Sequence, residues 1–170
     1  RVLFRSQHMI YFEPGSSNNI YFGNDGGVWG SINGGTTIST KDFGYNVTQY
    51  YCGAMDPTAY TNILIAGAQD NGTHKLSSGG IGSGTTLTGG DGAFCHIDQN
   101  QSQYYFTSYV NNNYYASSNS GVSFTSRTLA NNTGAAFINV TDYDNAANIM
   151  YCGDNNGKYC RWTDPQTGGT

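Results

Sequence analysis

An all-β fold made of repeated antiparallel sheets is what this 170-residue sequence predicts. Its composition has five Leu and one Glu against 24 Gly, 19 Asn and 14 Tyr, so helix formers are scarce while strand and turn formers dominate. An apolar strand followed by a turn rich in Gly, Asn and Asp occurs four times, with Gly23, Gly67, Ser108 and Gly153 at equivalent points. The spacings are 44, 41 and 45 residues. A period of about 40–50 residues, with about four strands per repeat, is typical of a β-propeller.

The first predicted blade covers residues 8–41 and opens with the apolar run 8–12. A second β-rich run, 20–22, leads into the turn 24–27, where an Asp-Gly pair supplies the positive φ that a tight hairpin needs. A third strand starts at 28–29, and the blade closes near residue 40. The pattern therefore predicts four short antiparallel strands.

The same pattern predicts three further blades, and in each of them an Asp or Pro turn ends the first strand. The last repeat stops before a fourth strand, so we expect the chain to be a fragment of a longer propeller. The second blade is about 49–88, with strands 49–55, 63–67 and 73–76. The third is about 92–128 and opens with the segment 90–98, followed by strands 104–109, 114–117 and 122–127. The fourth is about 135–170, with strands 135–140, 149–153 and 158–162.

Charge and hydropathy exclude two classes of function. Only 11% of the residues are charged and the net charge is −4, so there is no basic patch to neutralise phosphates and nucleic acid is not an expected partner. No apolar run reaches the 18 or more residues of a membrane span. Low Lys and Glu with abundant Asn, Gly, Ser, Thr and Tyr fit an extracellular or cell-surface protein.

Two short strings, 31–38 and 117–124, match the pattern S-x-D-x-G-x-S/T-W/F at its main positions, with Asn33 and Asn119 in place of the Asp. The chain thereby resembles the Asp-box, or bacterial neuraminidase repeat, β-propellers, a family of secreted sialidase-like proteins related to glycoside hydrolases. The resemblance implies that each box is a structural turn between the third and fourth strands, away from the usual ligand face. The structural residues would be Ser31, Asn33, Gly35, Ser117, Asn119 and Gly121.

Carboxylates recur in the second-to-third strand turns and in one blade-to-blade link. In a four-stranded blade these segments lie at the same end, so the repeat aims them at one mouth of the central channel. Asp25, Asp70 and Asp91 are the candidate catalytic acids. The candidate ligand-binding residues are Gln69, Asn71, Asn112 and Asp154.

Three interpretations of this cluster stay open. Paired carboxylates suit glycoside hydrolysis, and Asp and Asn beside aromatic rings suit sugar binding. An oxygen-rich cluster could also hold calcium, although no cofactor is required. Finally, Asp-Gly and Asn-Gly are good turn formers and could be present for that reason alone.

The resemblance does not extend to sialidase chemistry. Active members use three arginines, a tyrosine nucleophile and its glutamate, whereas this chain has four arginines outside the candidate cluster and a single glutamate, Glu13, at a turn. We therefore predict a glycan-binding propeller. The alternative is a non-enzymatic structural or protein-interaction module among other subunits of a secreted or surface assembly.

Histidines and cysteines show no metal-ligand spacing, so these residues predict no metal site. Cys152 and Cys160 straddle the turn 154–157 symmetrically and could form a cross-hairpin disulfide in an exported protein. Cys52 and Cys95 occupy matching first-strand positions in neighbouring blades, where they are expected to be buried, well apart and unbridged.

Overall fold

The computed structural model describes residues 7–24, 26–44, 48–79, 82, 84–129 and 134–168. The chain divides into two compact units, Arg1–Thr48 and Gln49–Thr170. No helix in these described ranges is long and apolar enough to cross a membrane.

Among the described residues, short β-strands make up most of the secondary structure of both units. The second unit also contains a 3-10 helix, Asn155–Gly157. The strands are β1 Gln7–Phe12, β2 Ile20–Asn24, β3 Gly27–Ser31, β4 Ser39–Thr40, β5 Cys52–Met55, β6 Leu64–Ala68, β7 Gly72–Leu76, β8 Thr85–Thr88, β9 Cys95–Ile97, β10 Tyr105–Ser108, β11 Asn113–Ser117, β12 Thr125–Thr128, β13 Thr141–Asp144, β14 Ile149–Gly153 and β15 Tyr159–Thr163.

Each sheet consists of strands that are consecutive in the chain and antiparallel to their neighbours. The first unit holds the sheet β1-β2-β3-β4. The second unit holds β5-β6-β7-β8, β9-β10-β11-β12 and β13-β14-β15, the last with three strands among the described residues. Consecutive meandering sheets confirm the predicted all-β, propeller-type fold class.

The first strand of the last sheet differs from its prediction. The sequence analysis placed it at 135–140, the more apolar run, but β13 lies at Thr141–Asp144. Thr141 pairs with Cys152 in the register of β14, whereas Phe137 and Val140 are 49% and 64% exposed. Burial in β13 alternates along the strand, because only one of its two faces packs against the protein.

The core of the second unit lies between its sheets. One cluster packs Ile65, Cys95, Ile97 and Tyr105 between the β5–β8 and β9–β12 sheets. A second cluster is centred on Trp162, whose ring lies 5.8 Å from that of Tyr114, between the β9–β12 and β13–β15 sheets. Aromatic side chains thus provide much of the buried apolar surface that this chain, with its few Leu residues, could not obtain from Leu.

Glycine permits one close backbone approach that shapes this unit. A Cβ atom added to Gly92 would lie 2.2 Å from the Gly72 carbonyl oxygen, and one added to Gly67 would lie 2.0 Å from that of Ala93. The link before β9 therefore packs directly on the β6–β7 hairpin, and it carries Asp91 to the tip of that hairpin.

The turns that follow β3 and β11 have matching hydrogen bonds. In the second, the Ser117 hydroxyl accepts the Gly121 N–H at 3.0 Å, and the Asn119 carboxamide oxygen accepts the Ser123 N–H at 3.0 Å. In the first, Ser31 accepts the Gly35 N–H at 2.9 Å and Asn33 accepts the Thr37 N–H at 2.9 Å. Short polar side chains thus bind the backbone groups of each turn.

Candidate functional site

Two of the predicted acids, Asp70 and Asp91, lie at the end of the second unit where the β6–β7 turn meets the link before β9. Asp70 has a φ of 62°, and its N–H donates to the Asp91 carboxylate at 2.9 Å. Asp91 therefore fixes the hairpin turn. The Gln69 amide oxygen accepts a 2.6 Å hydrogen bond from the Tyr51 hydroxyl, and the Asn71 carbonyl lies 2.8 Å from His74 Nε2.

Asn112 holds two blades together. It is 1% exposed, and its amide donates to the Gly153 carbonyl at 2.9 Å while its oxygen accepts from the Tyr114 hydroxyl at 2.6 Å. Asn139 also donates to the Asn112 oxygen and to the Gly153 carbonyl. This burial leaves no face of Asn112 for a ligand.

The structure thus brings one pair of the predicted residues together, since the Asp70 N–H donates to the Asp91 carboxylate. Asn112 donates instead to the carbonyl of Gly153, the residue before Asp154. Asp25 lies outside the described residues. In the described part of the chain, no three His, Cys, Asp or Glu side chains are grouped to hold a metal ion. Calcium binding and catalysis by these acids stay predictions.

A recess lies at the other end of the same sheets, where the first strands β5, β9 and β13 finish. It encloses about 220 Å³. Its lining combines amide, carboxylate and imidazole groups with apolar and aromatic surfaces. The residues are Ala54, Met55, His96, Ile97, Gln99, Asp142, Tyr143 and Asn145.

His96 contributes an imidazole to the wall of the recess. Its Nε2 lies 2.8 Å from the Thr141 hydroxyl of the next blade. Burial lowers the pKa of His96 to about 4, although the nearby Asp142 carboxylate acts in the opposite direction. The imidazole is therefore neutral at pH 7, with one nitrogen that can donate and one that can accept a hydrogen bond.

The rim of the recess is held by hydrogen bonds between turns of adjacent blades. The Gln99 side-chain amide donates to the Met55 carbonyl at 3.1 Å, and the Gln99 N–H donates to the Asn145 side chain at 2.7 Å. The Asn100 side chain donates to the Asn145 carbonyl at 2.7 Å. Three consecutive blades thus position the polar rim before a ligand arrives, which lowers the entropic cost of binding.

A buried carboxylate supports the recess from behind. Asp98 is 0% exposed and accepts hydrogen bonds from the Tyr143 hydroxyl at 2.9 Å and the Gln166 amide at 2.7 Å. It also accepts the N–H groups of the two turn residues 100 and 101. Burial, followed by the hydrogen bond with Asp98, raises the pKa of Tyr143, so this tyrosine is a fixed neutral donor.

The sequence analysis assigned no function to His96, Asp98 or Asp142. The turn-forming role of Asp98 could have been predicted from the sequence. First strands in this chain end in an Asp whose side chain accepts N–H groups of the next turn, as at Asp56 and Asp144. Its burial depends on side chains 45 and 68 residues further along the chain.

The thiols require a correction. Cys52 and Cys95 were expected to lie apart, but each sulfur contacts the backbone of the other residue, because β5 and β9 are adjacent. Cys152 and Cys160 are partners in the β14–β15 register. All four cysteines are free thiols in this structure, and the Cys152–Cys160 bridge stays a prediction.

Comparison with known proteins extends the fold assignment. No family model matches the sequence, and no curated protein matches it. An ancestral GH74 enzyme of known structure superposes with a TM-score of 0.55 at 15% identity, over 98% of this chain and 23% of that enzyme. An auxiliary nutrient binding protein from Bacteroides thetaiotaomicron superposes with a TM-score of 0.56 at 15% identity, over 97% of this chain and 40% of that protein.

These two similarities show a shared fold and nothing finer. The chain spans less than half the length of either protein. At 15% identity, the chemistry of those proteins does not transfer with the backbone.

Proposed function

We propose that this chain is part of an extracellular or cell-surface propeller that binds glycans, and that the recess between β5, β9 and β13 is the binding site. The observation that carries the proposal is the composition of the recess wall. Neutral imidazole, amides and one carboxylate stand beside Met55 and the Tyr143 ring. Sugars present hydroxyl groups on ring edges and apolar C–H faces, and this mixture suits both.

The size of the recess limits what it holds. Sites that bury a drug-sized ligand enclose about 300–1,000 Å³, whereas this recess encloses about 220 Å³. It therefore fits one sugar ring of a longer chain. A neutral or basic glycan is favoured, because Asp142 is the carboxylate of the wall and His96 is uncharged at pH 7.

Binding is a better supported activity than hydrolysis. Glycoside hydrolysis generally needs two carboxyl groups about 5–9.5 Å apart. The residues that line the recess include one, Asp142. A hydrolytic site formed by Asp25, Asp70 and Asp91 is the competing proposal, although Asp91 already fixes a turn.

Membership of the Asp-box propellers, with a bacterial, secreted origin, is part of the same proposal. The support is the matched hydrogen bonding of the turns at Ser31 and Ser117, together with their position between third and fourth strands. A propeller fold shared with a GH74 enzyme and a nutrient binding protein is consistent with a glycan-related role.

The second candidate function is a non-enzymatic interaction module in a larger secreted or surface assembly. One observation favours it. In the first unit, β1 exposes four consecutive large apolar residues, Met9, Ile10, Tyr11 and Phe12, each at least 47% accessible. Successive side chains of a strand point to opposite faces, so both faces of β1 expose apolar groups, and exposed apolar surface often marks a protein-protein interface.

A glycan array screened with this chain tests the proposal. We expect binding to neutral or basic oligosaccharides that is lost in His96→Ala and in Asp142→Asn. Ser126→Ala, an exposed position on β12, is the matched control and should bind like the parent. Loss of binding in Asp70→Asn and Asp91→Asn instead would move the site to the other end of the sheets. A folded chain that binds no glycan would support the interaction module.

A further inference from the structure

The first strands of two neighbouring blades place a pair of thiols in reciprocal contact. The Cys52 sulfur lies 3.6 Å from the Cys95 carbonyl oxygen, and the Cys95 sulfur lies 3.8 Å from the Cys52 carbonyl oxygen. The two side chains therefore lie close together between β5 and β9. Nothing in the proposed glycan site uses them.

We propose that Cys52 and Cys95 are a redox-active dithiol that closes into a disulfide between adjacent blades. The two sulfurs differ in their access to solvent. Cys95 is 1% exposed and packs in the core cluster with Ile65, whereas Cys52 is half-buried. An oxidant from solution thus reaches Cys52 first, and Cys95 stands behind it as the second thiol.

The electrostatics give the two thiols different roles. A hydrogen bond from the Cys95 thiol to the Cys52 sulfur lowers the pKa of Cys52 to about 6, despite the opposing effect of burial. The same hydrogen bond, with burial, raises the pKa of Cys95. Cys52 is therefore the thiol of the pair that ionises more readily, and the thiolate is the nucleophilic form in thiol–disulfide exchange.

The exchange needs a low-molecular-weight disulfide such as oxidised glutathione. The Cys52 thiolate attacks one sulfur of that disulfide, a mixed disulfide forms, and the first glutathione thiolate leaves. The Cys95 thiol gives its proton to the departed glutathione thiolate and attacks the Cys52 sulfur. The Cys52–Cys95 bond forms, the bond between Cys52 and glutathione breaks, and the second glutathione leaves as a thiolate that takes a proton from water. The protein dithiol is thus oxidised by two electrons and the glutathione disulfide is reduced to two thiols.

The bridge would join segments 43 residues apart in the chain. It would fix β5 to β9, and these strands continue directly into the recess through Met55 and His96. A bridge between Cys152 and Cys160 would not join two blades. These residues face each other within one hairpin, so their bridge would close only a short loop.

The test is to incubate the chain with oxidised glutathione at neutral pH, alkylate the remaining thiols, and map the peptides by mass spectrometry without reduction. We expect a linked Cys52–Cys95 peptide and a higher melting temperature for the oxidised chain. In Cys95→Ser, glutathione should stay attached to Cys52 and the rise in melting temperature should disappear. In Cys52→Ser, Cys95 should remain a free thiol.

Circular dichroism establishes that both variants are folded before they are oxidised. The variant Cys152→Ser is the matched control and should form the Cys52–Cys95 link at the parent rate. Full alkylation of both Cys52 and Cys95 after oxidation would overturn the proposal. Glutathionylation of Cys95 in the Cys52→Ser variant would overturn the order of attack.

Discussion

Replacing Asn119 by Ala removes three hydrogen bonds from the turn after β11. The Asn119 oxygen accepts from the Ser117 hydroxyl at 2.9 Å and from the Ser123 N–H at 3.0 Å, and the Asn119 amide donates to the Ser123 hydroxyl at 2.9 Å. A hydrogen bond contributes about 0.5–1.5 kcal/mol net. Because Asn119 is exposed, water replaces part of this hydrogen bonding in the variant, and we expect the free energy of unfolding to fall by about 1–2 kcal/mol.

Thermal unfolding followed by circular dichroism measures the effect. For a domain of this size, about 1 kcal/mol corresponds to roughly 2–4 °C, so Asn119→Ala should melt roughly 2–8 °C lower. Glycan binding by the folded variant should not change.

The variant Asn119→Asp is the control for this prediction. A carboxylate keeps both acceptor positions, and the Ser123 hydroxyl can rotate to donate instead of accept. Its stability should stay within about 0.5 kcal/mol of the parent, the usual range for a surface change. An Asn119→Ala variant as stable as the parent would refute the structural role of this side chain. So would an Asn119→Asp variant as unstable as Asn119→Ala.

Four further predictions follow from buried groups. Asn112→Ala should lower the free energy of unfolding by about 2–4 kcal/mol in urea titration, because it leaves buried partners unpaired; a neutral effect would contradict its role between blades. Asp98→Ala should cost at least about 3 kcal/mol on the same scale, since four donors each lose a hydrogen bond to the buried carboxylate, and a smaller cost would mean that water replaces the carboxylate. Folding lowers the pKa of His96 from 6.5 to about 4, so the free energy of unfolding should decrease as the pH is lowered from 6.5 to 4. The variant His96→Gln should lose less stability over this pH range, and a variant with the same pH dependence as the parent would argue against burial of the neutral ring. Peptide mapping of air-oxidised protein should show Cys152 linked to Cys160, and two alkylated thiols there would contradict the bridge.

The repeat could be predicted from the sequence because each blade carries its own turn chemistry. The hairpin β14–β15 and its paired cysteines follow from local residues. The strand β13 could not be placed in this way. Its sequence Thr-Asp-Tyr-Asp is polar at alternate positions, and the preceding run is more apolar, so hydropathy favoured the wrong segment.

The candidate site was less predictable, for a different reason. The repeat predicted that Asp91 lies in a link at the same end as the second-to-third strand turns, but a sequence does not distinguish a carboxylate that binds a ligand from one that accepts a backbone N–H. The recess draws His96 and Gln99 from one blade and Asp142 from the next. These residues form no motif along the chain, and only the packing of first strands brings them together.

An NMR titration locates the glycan site most directly. The isotopically labelled chain is titrated with a neutral oligosaccharide selected from the array, and the backbone amide signals are followed. Our account predicts that the signals of Ile97, Gln99 and Tyr143 around the recess shift with the added sugar, while those of Asp70 and Asp91 stay in place. Shifts confined to Asp70 and Asp91 would contradict it.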